Sequence, residues 1–93
     1  MITVEQENII KDTLIPYEPV LVGIFGSYAR NEQKNSSDID ILVDFKRKTN
    51  LLDLIGIEQE LTELLGMKVD LITLRSVNEQ LKSFIQKDLI RII

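Results

Sequence analysis

The sequence contains no cysteine and no histidine among its 93 residues. Without cysteine there is no disulfide, no thiolate metal site and no thiol nucleophile. Without histidine, a Ser-His-Asp triad, a His-ligated zinc and imidazole acid–base chemistry are excluded. Any metal must be held by oxygen, which points to Mg²⁺ or Mn²⁺. No apolar run approaches the roughly 18 residues of a membrane span. The segment from Met1 to Asn8 carries Glu5 and Glu7 and no basic cluster, unlike a signal peptide. A soluble, cytoplasmic protein with no membrane partner is expected. Positive charge is also scarce, with 11 Lys and Arg against 15 Asp and Glu and a net charge of −4. That balance argues against direct duplex-DNA binding, which needs a basic footprint. Phosphate-bearing small molecules are not excluded, because a bound cation reverses the local sign.

What is present is an ordinary globular composition, 44% hydrophobic and 28% charged. The length implies a single domain over residues 1–93. A domain of this size buries roughly 60–65% of the surface its unfolded chain exposes. One sheet with covering helices is within reach, but a deep enclosed pocket is not.

Along the chain, Ile9, Ile10 and Leu14 mark a helix over Val4 to Ile15 with Thr3 as N-cap. Pro16-Tyr17-Glu18-Pro19 reads as a connector. Val20 to Phe25 is a short apolar run, hence a buried strand that Gly26-Ser27 ends. Ser27 to Asn31 suggests one or two helical turns, and Glu32 to Ser37 a polar loop. Asp38 to Phe45 alternates as a second strand. Asn50 caps a helix over Leu51 to Leu65, whose broad apolar face of leucine and isoleucine is expected to be core, and Gly66 sits at its left-handed end. Lys68 to Thr73 is a third strand. Ser76 to Glu79 has the spacing of a capping box opening a last helix that runs to about Ile92. The order implies an α/β sheet with helices on one or both sides.

The sharpest signal is Gly26-Ser27, ten residues, then Asp38-Ile39-Asp40. Four fixed identities at fixed spacing arise by chance about twice in a hundred thousand start positions. Alternate residues of a strand share a face, so Asp38 and Asp40 present two carboxylates together, with Ile39 turned away. At about 4–5 Å they would repel by roughly 3–4 kcal/mol. A cation or a shared proton must offset that. Asp70, in the third strand, joins them if the strands are neighbours, and three carboxylates can hold two metals for phosphoryl transfer. Gly26 lets backbone approach an anion, and the Ser27 hydroxyl and nearby amides can hold phosphate oxygens. A phosphate cradle beside a hard-metal cluster is the chemistry of nucleoside triphosphates.

The run Gly26-Ser27-Tyr28-Ala29-Arg30, followed by Ser37-Asp38-Ile39-Asp40-Ile41-Leu42-Val43, resembles the signature of the DNA polymerase β-type nucleotidyltransferases. The small size, Leu64-Leu65-Gly66 and Lys68-Val69-Asp70-Leu71 are similar to the minimal nucleotidyltransferase (MNT) antitoxins. The resemblance covers residues 20–75 well and the flanking helices loosely. It implies a three-stranded mixed sheet, order 1-2-3, with covering helices. It implies that Gly26 and Ser27 bind the triphosphate, that Asp38, Asp40 and Asp70 bind Mg²⁺, and that Asp70 helps activate the acceptor hydroxyl. It further implies an antitoxin that transfers AMP from ATP to a tyrosine of a HEPN-domain toxin. Where the family commonly has Gly after Arg30, this chain has Asn31, which tolerates left-handed backbone.

Other readings stand beside these. The chain could neutralise its partner by covering it without catalysis, or act on a small molecule such as an aminoglycoside. The latter enzymes usually carry a further domain to hold the acceptor. Arg30 is a candidate for phosphate contact or for a salt bridge to the acidic site. Tyr28 is read as a packing residue, Asp44 as a surface residue, and Lys46 to Lys48 and Arg75 as solvated. The apolar end Leu89 to Ile93 is either an interface or core, and homo-oligomerisation is left open.

Overall fold

In the computed structural model, which describes residues 2–34 and 38–93, local sequence signals set most element boundaries. Helix α1 spans Val4–Leu14. Thr3 and Gln6 cap it reciprocally: the Thr3 hydroxyl accepts from the Gln6 amide at 3.1 Å, and the Gln6 side chain accepts from the Thr3 amide at 2.9 Å. Ile15 does not extend α1 but opens a 3-10 turn, Ile15–Tyr17, with Pro16 inside it. Glu18 follows with φ 56, and strand β1 is Pro19–Phe25. Strand β2 is Ile39–Phe45, and helix α2 is Leu51–Leu65. Asn50 and Asp53 form the capping box of α2, and Gly66 ends it with φ 69. Strand β3 is Val69–Thr73, helix α3 is Glu79–Asp88, and strand β4 is Ile90–Arg91.

The sheet is mixed and four-stranded, in the order β3-β2-β1-β4. β1 pairs antiparallel with β2 and with β4, while β2 and β3 run parallel, with α2 as the crossover. The expected three strands in order 1-2-3 are therefore present, with a fourth added at the β1 edge. The expected helix to Ile92 stops at Asp88, because Leu89 is extended (φ −63, ψ 122). Beyond it the isoleucine-rich end fills open positions on β1. Ile92 and Ile93 donate to the Val22 carbonyl at 2.8 and 3.2 Å, backbone bonds that a helical end would forgo.

Two further expectations are corrected. The cap of α3 is Asn78, whose side chain accepts from the Leu81 amide at 2.8 Å. Ser76 instead donates to the Thr73 carbonyl at 2.9 Å within a 3-10 turn, Leu74–Ser76. Ser27 to Asn31 forms a hydrogen-bonded turn rather than a helix. The loop residues 35–37, including Ser37 of the signature, lie outside the described residues.

Strand parity divides the sheet into two faces. Val22, Ile24, Ile39, Ile41, Val43 and Val69 are fully buried together with Ile10 and Leu14 of α1 and Ile57 and Leu61 of α2. Each such side chain contributes about 1.5–3 kcal/mol by leaving water. Asp38, Asp40, Leu42 and Asp44 have the opposite parity and point away from that core. Leu89, just after α3, lies over Gly23 of β1, where an added Cβ would meet its side chain. The apolar stripe of α2 is only partly core: Leu51, Leu52, Ile55 and Leu64 are exposed.

Candidate active site

The carboxylates stand on the sheet face opposite the main core, at the start of β2 and β3. The parallel register places Asp40 directly beside Asp70. The Asp70 carboxylate beside it opposes the ionisation of Asp40. Partial burial, then the charges of Asp70 and Asp38, push Asp40 up from 3.8 to about 6. The sequence puts Asp38 and Asp40 together with Asp70 as a third carboxylate; in the structure both neighbours raise Asp40, Asp70 more than Asp38. Residues two apart on a strand are about 6.6 Å apart, whereas register partners on adjacent strands are about 4.8 Å apart. Asp38 leans instead toward Lys68, 3.8 Å away.

Gly26 closes the site from the β1 side. Phe25 is the register partner of Asp40, and the chain turns immediately after it. Gly26 has φ 74, a left-handed conformation that suits glycine. A Cβ there would collide with Asp40 Oδ2 and sit 3.3 Å from its Cγ. Glycine is thus required for the turn and again for the approach of backbone to carboxylate. The turn is closed by bonds from the Arg30 amide to the Gly26 carbonyl (3.1 Å) and from the Glu32 amide to the Ser27 carbonyl (2.9 Å). Asn31 adopts φ 59, the left-handed backbone expected of it. Tyr28 is buried in the core cluster, which makes it a packing residue. Ser27 is half-buried at the rim, next to Gly26.

Arg30 links this turn to the end of α3. Its guanidinium donates to Asp88 Oδ2 at 2.8 Å and to Glu32 Oε2 at 3.4 Å. The bond to Asp88 holds its proton more firmly than usual. Its charge also lowers the Asp40 pKa, partly countering the neighbouring carboxylates. Asp88 was not singled out by sequence. It carries no motif, and only the return of α3 to β1 brings it to Arg30. Asp44 is at the other end of β2, near Arg75 at 3.9 Å.

The donor set fits a hard cation: oxygen only, with mutual repulsion that a metal would relieve. Among the described residues no three acidic side chains are gathered closely enough to cage an ion. The coupled pair is Asp40 and Asp70, with Asp38 beside them and engaged by Lys68.

The family described as polymerase beta, nucleotidyltransferase, matches residues 8–93. The chain belongs to this family. Being a nucleotidyltransferase, it has relatives named for protein modification. The protein adenylyltransferase MntA of Thermococcus cleftensis is 47% identical over 70 residues, 75% of this chain and 67% of that one. A chain of Methanocaldococcus jannaschii, named provisionally as a protein adenylyltransferase, is 53% identical over 77 residues, 82% of this chain and 79% of its own. Among solved structures, a toxin–antitoxin with AMP-PNP aligns with a TM-score of 0.86 at 29% identity, covering 94% of this chain and 72% of the other. A complex of MNT antitoxin with tri-AMPylated HEPN toxin from Shewanella oneidensis aligns at 0.78 with 26% identity, covering 96% and 70%. No described helix is long and apolar enough to cross a membrane.

Proposed function

We propose that this nucleotidyltransferase is the antitoxin of a HEPN/MNT pair, a single catalytic domain that transfers AMP from ATP to a tyrosine of its partner toxin in the cytoplasm. The observation that carries the reading is the Asp40–Asp70 pair set against the Gly26 turn. The relatives named protein adenylyltransferase support protein as the acceptor class. The AMPylated toxin in a similar complex supports the partner.

Each residue has a role in this reading. Gly26 and Ser27 hold the triphosphate through backbone amides and hydroxyl, close to the carboxylates. Asp38, Asp40 and Asp70 would hold Mg²⁺, which neutralises phosphate charge and polarises the reacting phosphorus when bound. Asp70 accepts the proton of the tyrosine hydroxyl as its oxygen bonds to the α-phosphorus. The bond from that phosphorus to the bridging oxygen breaks, and pyrophosphate leaves. Arg30 steadies the turn through Asp88 and offers its remaining donors to phosphate.

Label transfer tests the proposal. The chain is mixed with ATP labelled at the α-phosphate, Mg²⁺ and an excess of a HEPN-domain toxin. Label should move to a toxin tyrosine, with EDTA abolishing transfer. Label that stays on nucleotide while the toxin is silenced stoichiometrically would mean neutralisation by covering. Label that passes only to an aminoglycoside would mean a small-molecule enzyme.

A further inference from the structure

The N-terminal half of α2 carries an apolar patch that its own core does not use. Leu51, Leu52 and Ile55 are 71%, 78% and 44% exposed. Ile55 stands four residues after Leu51 and three after Leu52, so it joins them into one surface. Beside them a groove of about 390 Å³ runs between α2 and β3, floored by Leu54 and Leu71. At Leu54, Thr73 and Ser76 it continues into a second groove of about 270 Å³, flanked by Arg47 and Arg75. Arg47 forms no ion pair among the described residues, and Arg75 only a long, exposed one to Asp44 at 3.9 Å. The surface is therefore apolar at Leu51, Leu54, Ile55 and Leu71, with Glu58 among them, and at one end two arginines outnumber the single carboxylate of Asp44.

β3 is a sheet edge, yet two of its outward amides are taken. Leu71 donates to Glu58 Oε2 at 2.9 Å and Val69 to Thr62 Oγ1 at 3.2 Å, both acceptors coming from α2. An incoming strand would have to break these bonds, so β-addition is disfavoured. An amphipathic helix, which needs side-chain contacts only, suits the groove. Alternate residues of β3 face opposite ways: Asp70 lies beside Asp40 on the carboxylate face, and Leu71 faces the groove. A partner clasping the β3 edge would touch both. Three exposed side chains are a small patch for a stable homodimer, which needs roughly 800 Å² per subunit. They suit one anchor of a wider contact.

We propose that the α2–β3 groove docks an amphipathic helix of the acceptor protein, apolar on one face and acidic at the end that meets Arg47 and Arg75, so that the acceptor hydroxyl reaches Asp70 around the β3 edge. This rests on the reading of the chain as a protein adenylyltransferase.

The test is steady-state AMP transfer to a HEPN-domain toxin, with ATP and Mg²⁺. Leu51→Glu with Ile55→Glu should raise the KM for toxin about tenfold or more, with kcat within about twofold. ATP affinity should not change. Arg47→Glu with Arg75→Glu should raise KM comparably, and more at low salt than at high. Leu52→Glu, at the most exposed of the three apolar positions, is least able to disturb the fold and should raise KM as well. Unchanged KM in all three variants, while the wild type transfers AMP, overturns the groove alone. If the wild type then dimerises and Leu51→Glu with Ile55→Glu is monomeric, the face belongs to a second copy. A wild type that transfers no AMP to the toxin overturns the underlying reading and the docking with it.

Discussion

Asp40 and Asp70 are register partners on parallel neighbouring strands, and the charge of Asp70 helps to hold the Asp40 carboxyl above its ordinary pKa. Two acids in that position compete for ionisation, and partial burial adds to the cost of charging Asp40. The site therefore resists full ionisation where the proposed chemistry would place a cation.

The pH dependence of stability follows from that resistance. Asp40 is raised from 3.8 to about 6 in the folded chain. Between those values the folded state binds more protons than the unfolded state, so stability falls as pH rises. The loss is about 1 kcal/mol once solvent screening at a half-exposed site is allowed for. Metal-free melts from pH 4 to pH 7 should show this fall, superimposed on other titrations, and Asp40→Asn should remove it. Millimolar Mg²⁺ at pH 7 should raise the Tm of the wild type and leave that of Asp40→Asn unmoved. A wild-type curve identical to that of Asp40→Asn, with and without Mg²⁺, would contradict the coupling.

Gly26→Ala should be costly for two reasons, the left-handed backbone and the collision with Asp40. A loss of about 2–3 kcal/mol is expected, with ATP affinity falling about tenfold or more. Gly66→Ala is the control. Gly66 has a similar φ, 69, but nothing lies within 4 Å of the added Cβ. It should cost about 1 kcal/mol and spare ATP binding. Chemical denaturation and calorimetry measure both. Equal losses would show that the approach to Asp40 plays no part.

Glu58 protects the β3 edge by accepting from the Leu71 amide at 2.9 Å. Glu58→Ala should lower stability by about 1–2 kcal/mol, because that amide loses its acceptor. Combined with Thr62→Val, it should also free the edge for pairing. Sedimentation of the double variant should then show association at concentrations where the wild type does not associate.

The sequence was most readable where structure is local. Thr3 and Asn50 sit beside acceptor-seeking amides, so both caps fall where the residue types place them. The bounds of α2 follow from Asn50 and Gly66 alone. Strand parity put Asp38 and Asp40 on one face opposite Ile39, and the pattern Gly26-Ser27 to Asp38-Ile39-Asp40 marked the site. What depends on long-range contact was not readable. β4 exists because β1 has an open edge, which no local signal in Ile90-Arg91 reveals. The tight pair is Asp40 with Asp70 because β3 lies parallel to β2 in that register, thirty residues away along the chain. The stripe on α2 looked like core because leucine spacing cannot say which flank of a helix the sheet covers. Asn78 displaced Ser76 as a cap because Ser76 is occupied by the Thr73 carbonyl.

The central claim is that the Asp40–Asp70 site performs AMP transfer and that this transfer neutralises the partner. The most direct measurement is the intact mass of an excess of toxin after incubation with ATP, Mg²⁺ and a substoichiometric amount of this protein. The account predicts that the whole toxin pool gains one or more AMP units and stays silent after separation. It predicts that Asp70→Asn leaves the mass unchanged while binding the toxin as tightly as the wild type. A toxin silenced at unchanged mass by the wild type, or fully modified by Asp70→Asn, would contradict it.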